Sequence, residues 1–469
     1  MIIAKSFLNK TVAVLGLARS GRAAISSLTL GGAKVLAWDD DRRRREEIAC
    51  FSVEISDLYN VDFSYIDALV LSPGIPHSFP QPHPVAAKAR SSGVPIIGDI
   101  EIFIKSSNNT RIIGVTGTNG KSTTVSLIGH VLSCLNISNE VAGNIGRPVL
   151  EISSDPIPEF SVLELSSYQL ELTPSLGCSF AVLLNITPDH LDRHGGMDGY
   201  IRAKKRIFDK LDCSSKIIIG IDDHLTRSIY QKLQHETEVH IIPISGIEIP
   251  KNGVGVEKGR LKSDLSGTPE CIIELNGLKT LFGCHNHQNA AATAAIALLL
   301  GAEPSKIEFG LKSFQGLPHR QELVREFLGI NFINDSKATN FDAAERALSS
   351  FKSIYWIAGG LSKDDGNTNS IIEKLENVEH TFLIGSSTDE FFDLLNTGTT
   401  CTKCDNLETA VQKAAAVART EKKESPVVLL SPAAASFDQF DNYEERGNKF
   451  RSIVEALTLR KVLNEVTSL

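Results

Sequence analysis

Residues Arg111 to Val125, RIIGVTGTNGKSTTV, restrict the possible folds of this chain more than any other stretch. An apolar, β-branched run (Ile112, Ile113, Val115) enters a loop of small residues, Thr116-Gly117-Thr118-Asn119-Gly120. It leaves through Lys121-Ser122-Thr123-Thr124 at the head of a helical pattern. Strand, loop and helix in that order read as a phosphate loop, the alternative being a Gly-rich turn ahead of an ordinary helix. The two glycines let backbone N–H groups turn inward, the helix N-terminus adds partial positive charge, and Lys121 adds a full one. A hydroxyl of Ser122 or Thr123 is then placed to meet Mg²⁺. The spacing departs from GxxxxGK[ST], whose first glycine would fall on Val115; the loop here is the shorter TGTNGKST.

Composition narrows the setting. A chain of 469 residues has room for two to four domains, each able to bury its own core. The net charge of −8 argues against nucleic acid as the main partner. MIIAKSFLNK lacks the apolar run of a signal peptide, and no later run is an uninterrupted membrane span, so a cytosolic protein is expected. Only Cys401 and Cys404 of the eight cysteines form a CxxC, which alone suggests neither zinc nor a disulfide framework.

Thr11 to Trp38 reads as strand, helix, strand, joined by Gly16-Leu17-Ala18-Arg19-Ser20-Gly21, a GxGxxG pattern with Ala18 at the middle glycine. Such a loop suits a diphosphate or merely connects its neighbours; Asp39, ending the second strand, stands where an acid often receives ribose or base hydrogen bonds. Arg42 to Arg45, followed at once by Glu46 and Glu47, reads as a solvated helix face. Strand Ala68 to Leu71 ends in Ser72-Pro73-Gly74-Ile75, placing Ser72 and Gly74 at the same crevice as Gly16 and Asp39. A helix and a strand Val94 to Ile97 follow, and the polar segment Ser106 to Thr110 reads as a linker.

Beyond it, strand Ser161 to Leu165 carries Glu164 into Ser166-Ser167-Tyr168-Gln169, and strand Ala181 to Ile186 delivers Asn185, Asp189, His190, Asp192 and His194 into a loop. Glu164 and His190 are placed to converge on a metal, although a capped loop histidine is the alternative at His190. The helix Gly199 to Lys210 bears Lys204, Lys205 and Arg206, by residue type a solvated basic face. Ile272 to Leu281 suggests a hairpin, and Asn286 and Asn289 open a long Ala-rich helix. After Gly316-Leu317-Pro318-His319-Arg320 the alternation restarts, with strands Ser353 to Ala358, Thr381 to Ile384 and Val427 to Leu430. The expected class is α/β: three domains, each an open, mostly parallel sheet with helices, Rossmann-like at residues 1–109 and 317–469 and P-loop ATPase-like at 110–316.

TGTNGKST, GNIG, LELSSYQLE, TPDHLDRH, GCHNHQNAAA, GLPHR, NDSKATN and LLSPAAASFDQF occur in one order across roughly residues 11 to 455, and this order resembles the Mur ligases of peptidoglycan synthesis. The resemblance implies a first domain that holds a UDP group, a middle one for ATP and two Mg²⁺, and a last one that brings the amino acid. NDSKATN, SPAAASFDQF and the SPGI loop are most similar to members joining D-glutamate to UDP-N-acetylmuramoyl-L-alanine. The implied partners are thus small molecules, for a monomeric chain with no nucleic acid and no membrane span. By position, the resemblance assigns Gly117, Thr118, Asn119, Gly120, Lys121, Ser122 and Thr123 to ATP and its metal. Glu164 would hold the first metal with Ser122; His190 and a carbamoylated Lys204 would hold the second. Asn286 and Asn289 would lie at the nucleotide, Arg320 on its phosphates and Asp335 on its ribose. Ser20, Asp39, Asp40, Ser72 and Gly74 would face the UDP group, with Asn144 and Ser166 at the acceptor carboxylate. Lys337, Thr339, Lys363, Ser436 and Phe437 match contacts to D-glutamate. Departures stand at Ala18, at Asp40, where some relatives carry threonine, in the flanks of the Lys363 loop, and at Tyr443, a position often phenylalanine.

Other readings fit less. A sister ligase adding a diamino acid usually carries a DNPR-like signature, which is absent. Folylpolyglutamate synthase lacks a UDP-holding first domain. A P-loop ATPase without ligase activity leaves Lys204, His190 and the third sheet without use, and a dinucleotide-dependent dehydrogenase is weakened by Ala18.

Overall fold

The computed structural model describes residues 1–48, 53–107, 110–276, 278, 280, 281, 283–362, 369–372 and 374–466. They build three α/β domains on three sheets. In the first, TVAVL at Thr11–Leu15 is apolar on both faces and takes the centre of five parallel strands. The order is Glu54–Ile55, Lys34–Trp38, Thr11–Leu15, Ala68–Leu71, Ile96–Ile97. The last strand is shorter than the expected Val94 to Ile97. The helix after the first strand, Arg19–Leu30, lies close because Gly21 has no side chain: a Cβ there would sit 1.9 Å from the Gly16 carbonyl oxygen.

The second sheet has nine strands, and Arg111–Thr116 runs inside it between Phe160–Glu164 and Phe180–Leu183, parallel to both. Glu164 therefore pairs in register with Val115, at the mouth of the phosphate loop. Asn139–Gly143 closes one edge. Lys216–Gly220, His240–Ser245 and Val254–Glu257 extend the other in parallel, and Arg260–Ser263 and Glu270–Glu274 turn antiparallel. Here the hairpin expected at Ile272 to Leu281 is corrected: Glu270–Glu274 pairs back onto Arg260–Ser263, whose own partner is Val254–Glu257. The third sheet runs Glu322–Phe327, Ile330–Asn334, Val427–Leu430, Ile354–Gly359, Val378–Ile384, Thr400–Lys403, antiparallel only at the first pair.

The chain forms two compact units, Met1–Asn276 with Cys284–Phe314, and the part from Gln315 onward with the short stretch before Cys284. One apolar cluster explains why the first two sheets share a unit. Val12, Val14, Ala24 and Leu28 join Phe103, Leu150, Leu163, Leu170 and Ala181 in a single core, so the two sheets bury apolar surface in common. The third sheet has its own two cores, one on each face. Among the described residues no helix is long and apolar enough to cross a membrane.

Candidate active site

The phosphate loop is held open by its neighbours. Gly120 caps the helix Lys121–Cys134 with φ of +82°, and Asn185 pins the loop, accepting from Asn119 N at 2.9 Å and donating to Asn119 O at 3.1 Å. Thr118 accepts from Thr187 N at 3.0 Å and meets the Tyr200 hydroxyl at 3.1 Å. Ser122 is buried and Thr123 half-buried at the first turn. Asn289 comes from the helix Gly283–Leu299, accepts from Thr124 at 3.0 Å and donates to Asn286 at 3.1 Å, so both asparagines stand beside the loop.

Two lysines meet over this loop. Lys121 Nζ donates to Gly117 O and Thr118 O at 2.8 and 2.7 Å, and Lys204 Nζ donates to the same Gly117 O at 2.7 Å. The solvated face expected at Lys204 is thus corrected: it is 2% exposed, one turn after buried Tyr200 on the inner side of the helix Met197–Lys205. Burial, reinforced by the Lys121 charge, drives the Lys204 amine well below the usual lysine range.

Glu164 leaves its strand buried. Oε1 accepts from Asn144 Nδ2 at 2.9 Å, while Oε2 has no hydrogen-bond partner among the described residues. A buried, orphaned carboxylate oxygen beside a phosphate loop is costly unless a cation joins it. Glu164 and the Ser122 hydroxyl are hard oxygen donors of the kind Mg²⁺ prefers, so the residues fit that ion. Among the described residues no three His, Cys, Asp or Glu side chains cluster as a preformed metal site. Ser166 closes a capping box with Gln169 at the start of the following helix, Ser167–Glu171. His190 takes a left-handed backbone (φ 52°) in the loop beyond Phe180–Leu183, half-exposed, with its ring 5.2 Å from that of Tyr168. Burial, with the charges of His194 and Lys121, lowers its pKa against the pull of Asp189.

In the first sheet, Ser20, Ser72 and Gly74 line a cavity of about 630 Å³ with Gly16, Ala18, Arg19, Arg44, Pro73 and Ile75. Asp39 is spent on the loop itself: its carboxylate accepts from Leu17 N at 2.7 Å and from Asp41 N at 2.9 Å. Asp40 faces outward, bonded to His83 at 2.9 Å and to Trp38 and Tyr59, and its pKa is lowered: burial raises it, but these bonds outweigh that.

In the second unit, Asp335 follows strand Ile330–Asn334, accepting from Ser431 Oγ at 2.9 Å and Gln321 N at 3.2 Å. Burial pushes its carboxyl up to about 7 against those bonds and the Arg320 and Arg346 charges. Lys337 Nζ donates to the Tyr443 hydroxyl at 2.8 Å and lies over its ring. Thr339 is half-buried and Ser436 buried, whereas Phe437 is 70% exposed, an apolar ring left in solvent. Lys363 lies outside the described residues.

Residue types alone give no sign of a half-buried hydrogen-bonded chain across the first unit. Glu171 bonds His77 at 3.1 Å and His194 at 3.4 Å, and His194 reaches Ser167 at 2.9 Å. Burial acts to raise the Glu171 pKa, but the two histidines overcome it and hold the carboxyl down at about 2. Arg193 spans from the Tyr168 ring to Gly74 O at 3.0 Å. These partners lie on two short helices, Ser167–Glu171 and Leu191–His194, and on the loop of Gly74 and His77, far apart in sequence, so no local spacing announces them.

Residues 115–297 match the model of the Mur ligase middle domain. A MurF ligase from Thermotoga maritima in complex with ADP shares the fold at 17% identity and TM-score 0.57, covering 100% of this chain and 97% of its own. A UDP-N-acetylmuramate–alanine ligase from the same organism does so at 18% identity and TM-score 0.54, covering 95% and 99%. By fold and central domain this is the architecture of the Mur ligases. The chain is 42% identical to the UDP-N-acetylmuramoylalanine–D-glutamate ligase of Rhodospirillum rubrum, over 96% of this chain and 95% of that protein. It is 44% identical to the enzyme of that name from Caulobacter vibrioides, over 98% of each. The chain belongs to the Mur ligase family, and within it to the UDP-N-acetylmuramoylalanine–D-glutamate ligases.

Proposed function

We propose that this protein is a cytoplasmic ligase that uses ATP to join D-glutamate to UDP-N-acetylmuramoyl-L-alanine through an acyl phosphate, in peptidoglycan synthesis. The observation that carries the reading is the meeting of Lys121 and Lys204 on the Gly117 carbonyl, with the orphaned Glu164 oxygen on the adjacent strand. A carboxylate is a poor electrophile until one oxygen becomes a leaving group, and phosphorylation supplies that. Lys121 and the amides of Gly117 to Gly120 bind the ATP phosphates and stabilise charge on the phosphoryl group in flight. Asn144 and Ser166 orient the acceptor carboxylate, and Ser20, Ser72 and Gly74 hold its UDP end. The D-glutamate amine then attacks the acyl carbon, and the tetrahedral intermediate collapses with loss of phosphate.

Ser122 and Glu164 would hold one Mg²⁺, and His190 and Lys204 a second; when bound, these ions neutralise phosphate charge. Lys204 serves as a carbamate: its neutral amine forms an N–C bond to CO₂ and releases one proton, turning a cation into an oxygen ligand. Asn286, Asn289, Arg320 and Asp335 attend the nucleotide, and Lys337, Thr339, Lys363, Ser436 and Phe437 the D-glutamate. Domain limits at 109/110 and 316/317 belong to the same proposal, the latter supported by the break between compact units at Phe314 and Gln315.

The test is ADP release that depends on UDP-N-acetylmuramoyl-L-alanine, measured across an amino-acid panel. D-Glutamate should drive it fastest; a faster rate with L-lysine, meso-diaminopimelate or L-alanine would move the protein to a sister activity. Lys363→Ala should raise the KM for D-glutamate roughly ten- to a hundredfold, the worth of a charge-assisted contact, while leaving that for ATP nearly unchanged.

A further inference from the structure

Glu171 is a half-buried carboxylate that the reaction above leaves without a part. It ends the helix Ser167–Glu171, where backbone carbonyls rather than N–H groups face outward, so side chains must satisfy its oxygens. Two histidines on different segments do so. Oε2 pairs with His77 Nε2 at 3.1 Å, and Oε1 with His194 Nδ1 at 3.4 Å. The second nitrogen of each ring is also engaged, at 2.9 Å by Ser78 Oγ for His77 and at 2.9 Å by Ser167 Oγ for His194, so both imidazoles are held in one orientation.

Two further contacts fasten the same segments. Arg193 donates to Gly74 O at 3.0 Å, and the Phe79 ring lies on the Gly195 backbone, where a Cβ would come within 3.0 Å of it. Residues 72–79 leave the first sheet after Ala68–Leu71, and Ser72 and Gly74 among them line the first-domain cavity. The bond at His77 ties this loop to the helix that begins beyond Ser166. At one end of that helix Ser166 Oγ accepts from Gln169 N at 3.2 Å and closes the capping box; at the other, Glu171 grips His77. One short helix therefore sets how far the loop at the cavity stands from the residue at the reacting carboxylate. We propose that Glu171 is a positioning residue for the acceptor: its bond to His77 holds residues 72–79 at a fixed separation from Ser166, so that one elongated UDP-linked substrate meets both. The proposal rests on the ligase reading for the identity of that substrate.

The test uses the full chain with Glu171→Ala and Glu171→Gln. Glutamine is the conservative mimic: its carbonyl still accepts from His194, and its N–H meets His77 Nε2 once that ring carries its proton on Nδ1, toward Ser78 Oγ. Glu171→Ala should raise the KM for UDP-N-acetylmuramoyl-L-alanine about tenfold or more and leave the KM for ATP within about twofold, while Glu171→Gln stays within about threefold of the parent for both. An unchanged acceptor KM in Glu171→Ala, a parallel rise in both constants, or a Gln variant as poor as Ala would overturn it. Should Ala fail to fold, His77→Leu cuts the same bond from the other side and faces the same criteria. Hydrogen exchange needs no substrate: the variant lacking the bond should exchange faster than the parent at 74–79 and no faster along the helix Lys121–Cys134. Unchanged exchange at 74–79, or an equal rise along that helix from general loosening, sinks the tie, and this arm decides it even if the ligase reading itself fails.

Discussion

At Lys204 the expense of burying an ammonium is avoided by surrendering the proton. With Lys121 donating to the same carbonyl oxygen, a second cation is repelled as well as desolvated, which lowers the Lys204 pKa and favours the neutral amine, the form the proposed carbamate requires. Lys121 stands at a helix N-terminus and faces the phosphate loop, where positive charge is what the site needs. The two lysines therefore call for opposite rescue behaviour. Lys121→Ala should lose about 10²-fold or more in turnover with no response to added small carboxylates. Lys204→Ala should fall as far but recover in part with formate or acetate, since the missing group is only an anionic oxygen. ADP release with and without the added acid checks both; recovery of Lys121→Ala, or a fully active Lys204→Ala, would reverse the roles.

The phosphate loop is one element made by two, because its geometry depends on the helix Gly283–Leu299 as well as on its own glycines. A Cβ on Gly120 would lie 2.6 Å from Asn289 Oδ1 at φ +82°, whereas Gly146, at φ +56°, has nothing within 4 Å. Gly146→Ala should lose only the ~1–2 kcal/mol of a left-handed alanine. Gly120→Ala should lose more and also weaken nucleotide binding by displacing Asn289. Thermal unfolding beside ATP titration separates the two, and equal effects would show that the asparagine yields without consequence. The same contrast explains what was legible in the sequence. Strand, loop and helix at Arg111 to Cys134 are specified by neighbours in the chain, as are Glu164 and Asp335 at strand ends. Residue type alone puts Lys204 on a solvated face because it reports no partner 87 positions away. Histidines 77 and 194 bracket Glu171 across 94 and 23 positions, beyond any helical or strand period. A hairpin is expected at Ile272 to Leu281, whereas Glu270–Glu274 pairs with Arg260–Ser263, because alternation marks a strand without naming its neighbour.

On the scale of the whole molecule, the two compact units carry acids of opposite character, so pH should act on them in opposite senses. Glu171, in the first unit, goes from 4.5 in a free chain to about 2, held down by His194 and His77 against the effect of burial. A depressed acid contributes stability that is present above pH 4.5 and disappears as pH falls toward 2. Asp335, in the second unit, goes from 3.8 to about 7 because burial disfavours its charge. A raised acid contributes stability that is complete below pH 3.8 and is lost as pH climbs through 7. His319 in that unit, lowered by burial from 6.5, works the other way, costing stability as pH falls below 6.5, so the raw melting curve mixes both. The difference between the parent and Asp335→Asn isolates the acid. An amide occupies the same space and does not titrate, so the variant should gain on the parent as pH rises from 5 to 8, with a ceiling of ~4 kcal/mol at ~1.4 kcal/mol per pKa unit for a rise from 3.8 to about 7. Glu171→Gln should show the reverse, equalling its own pH 7 deficit down to pH 5 and closing on the parent below pH 4. Scanning calorimetry of the three proteins between pH 3 and 8 reads both differences. A parent-minus-variant difference for Asp335→Asn that stays flat through pH 7 would mean the carboxylate is already ionised in the fold.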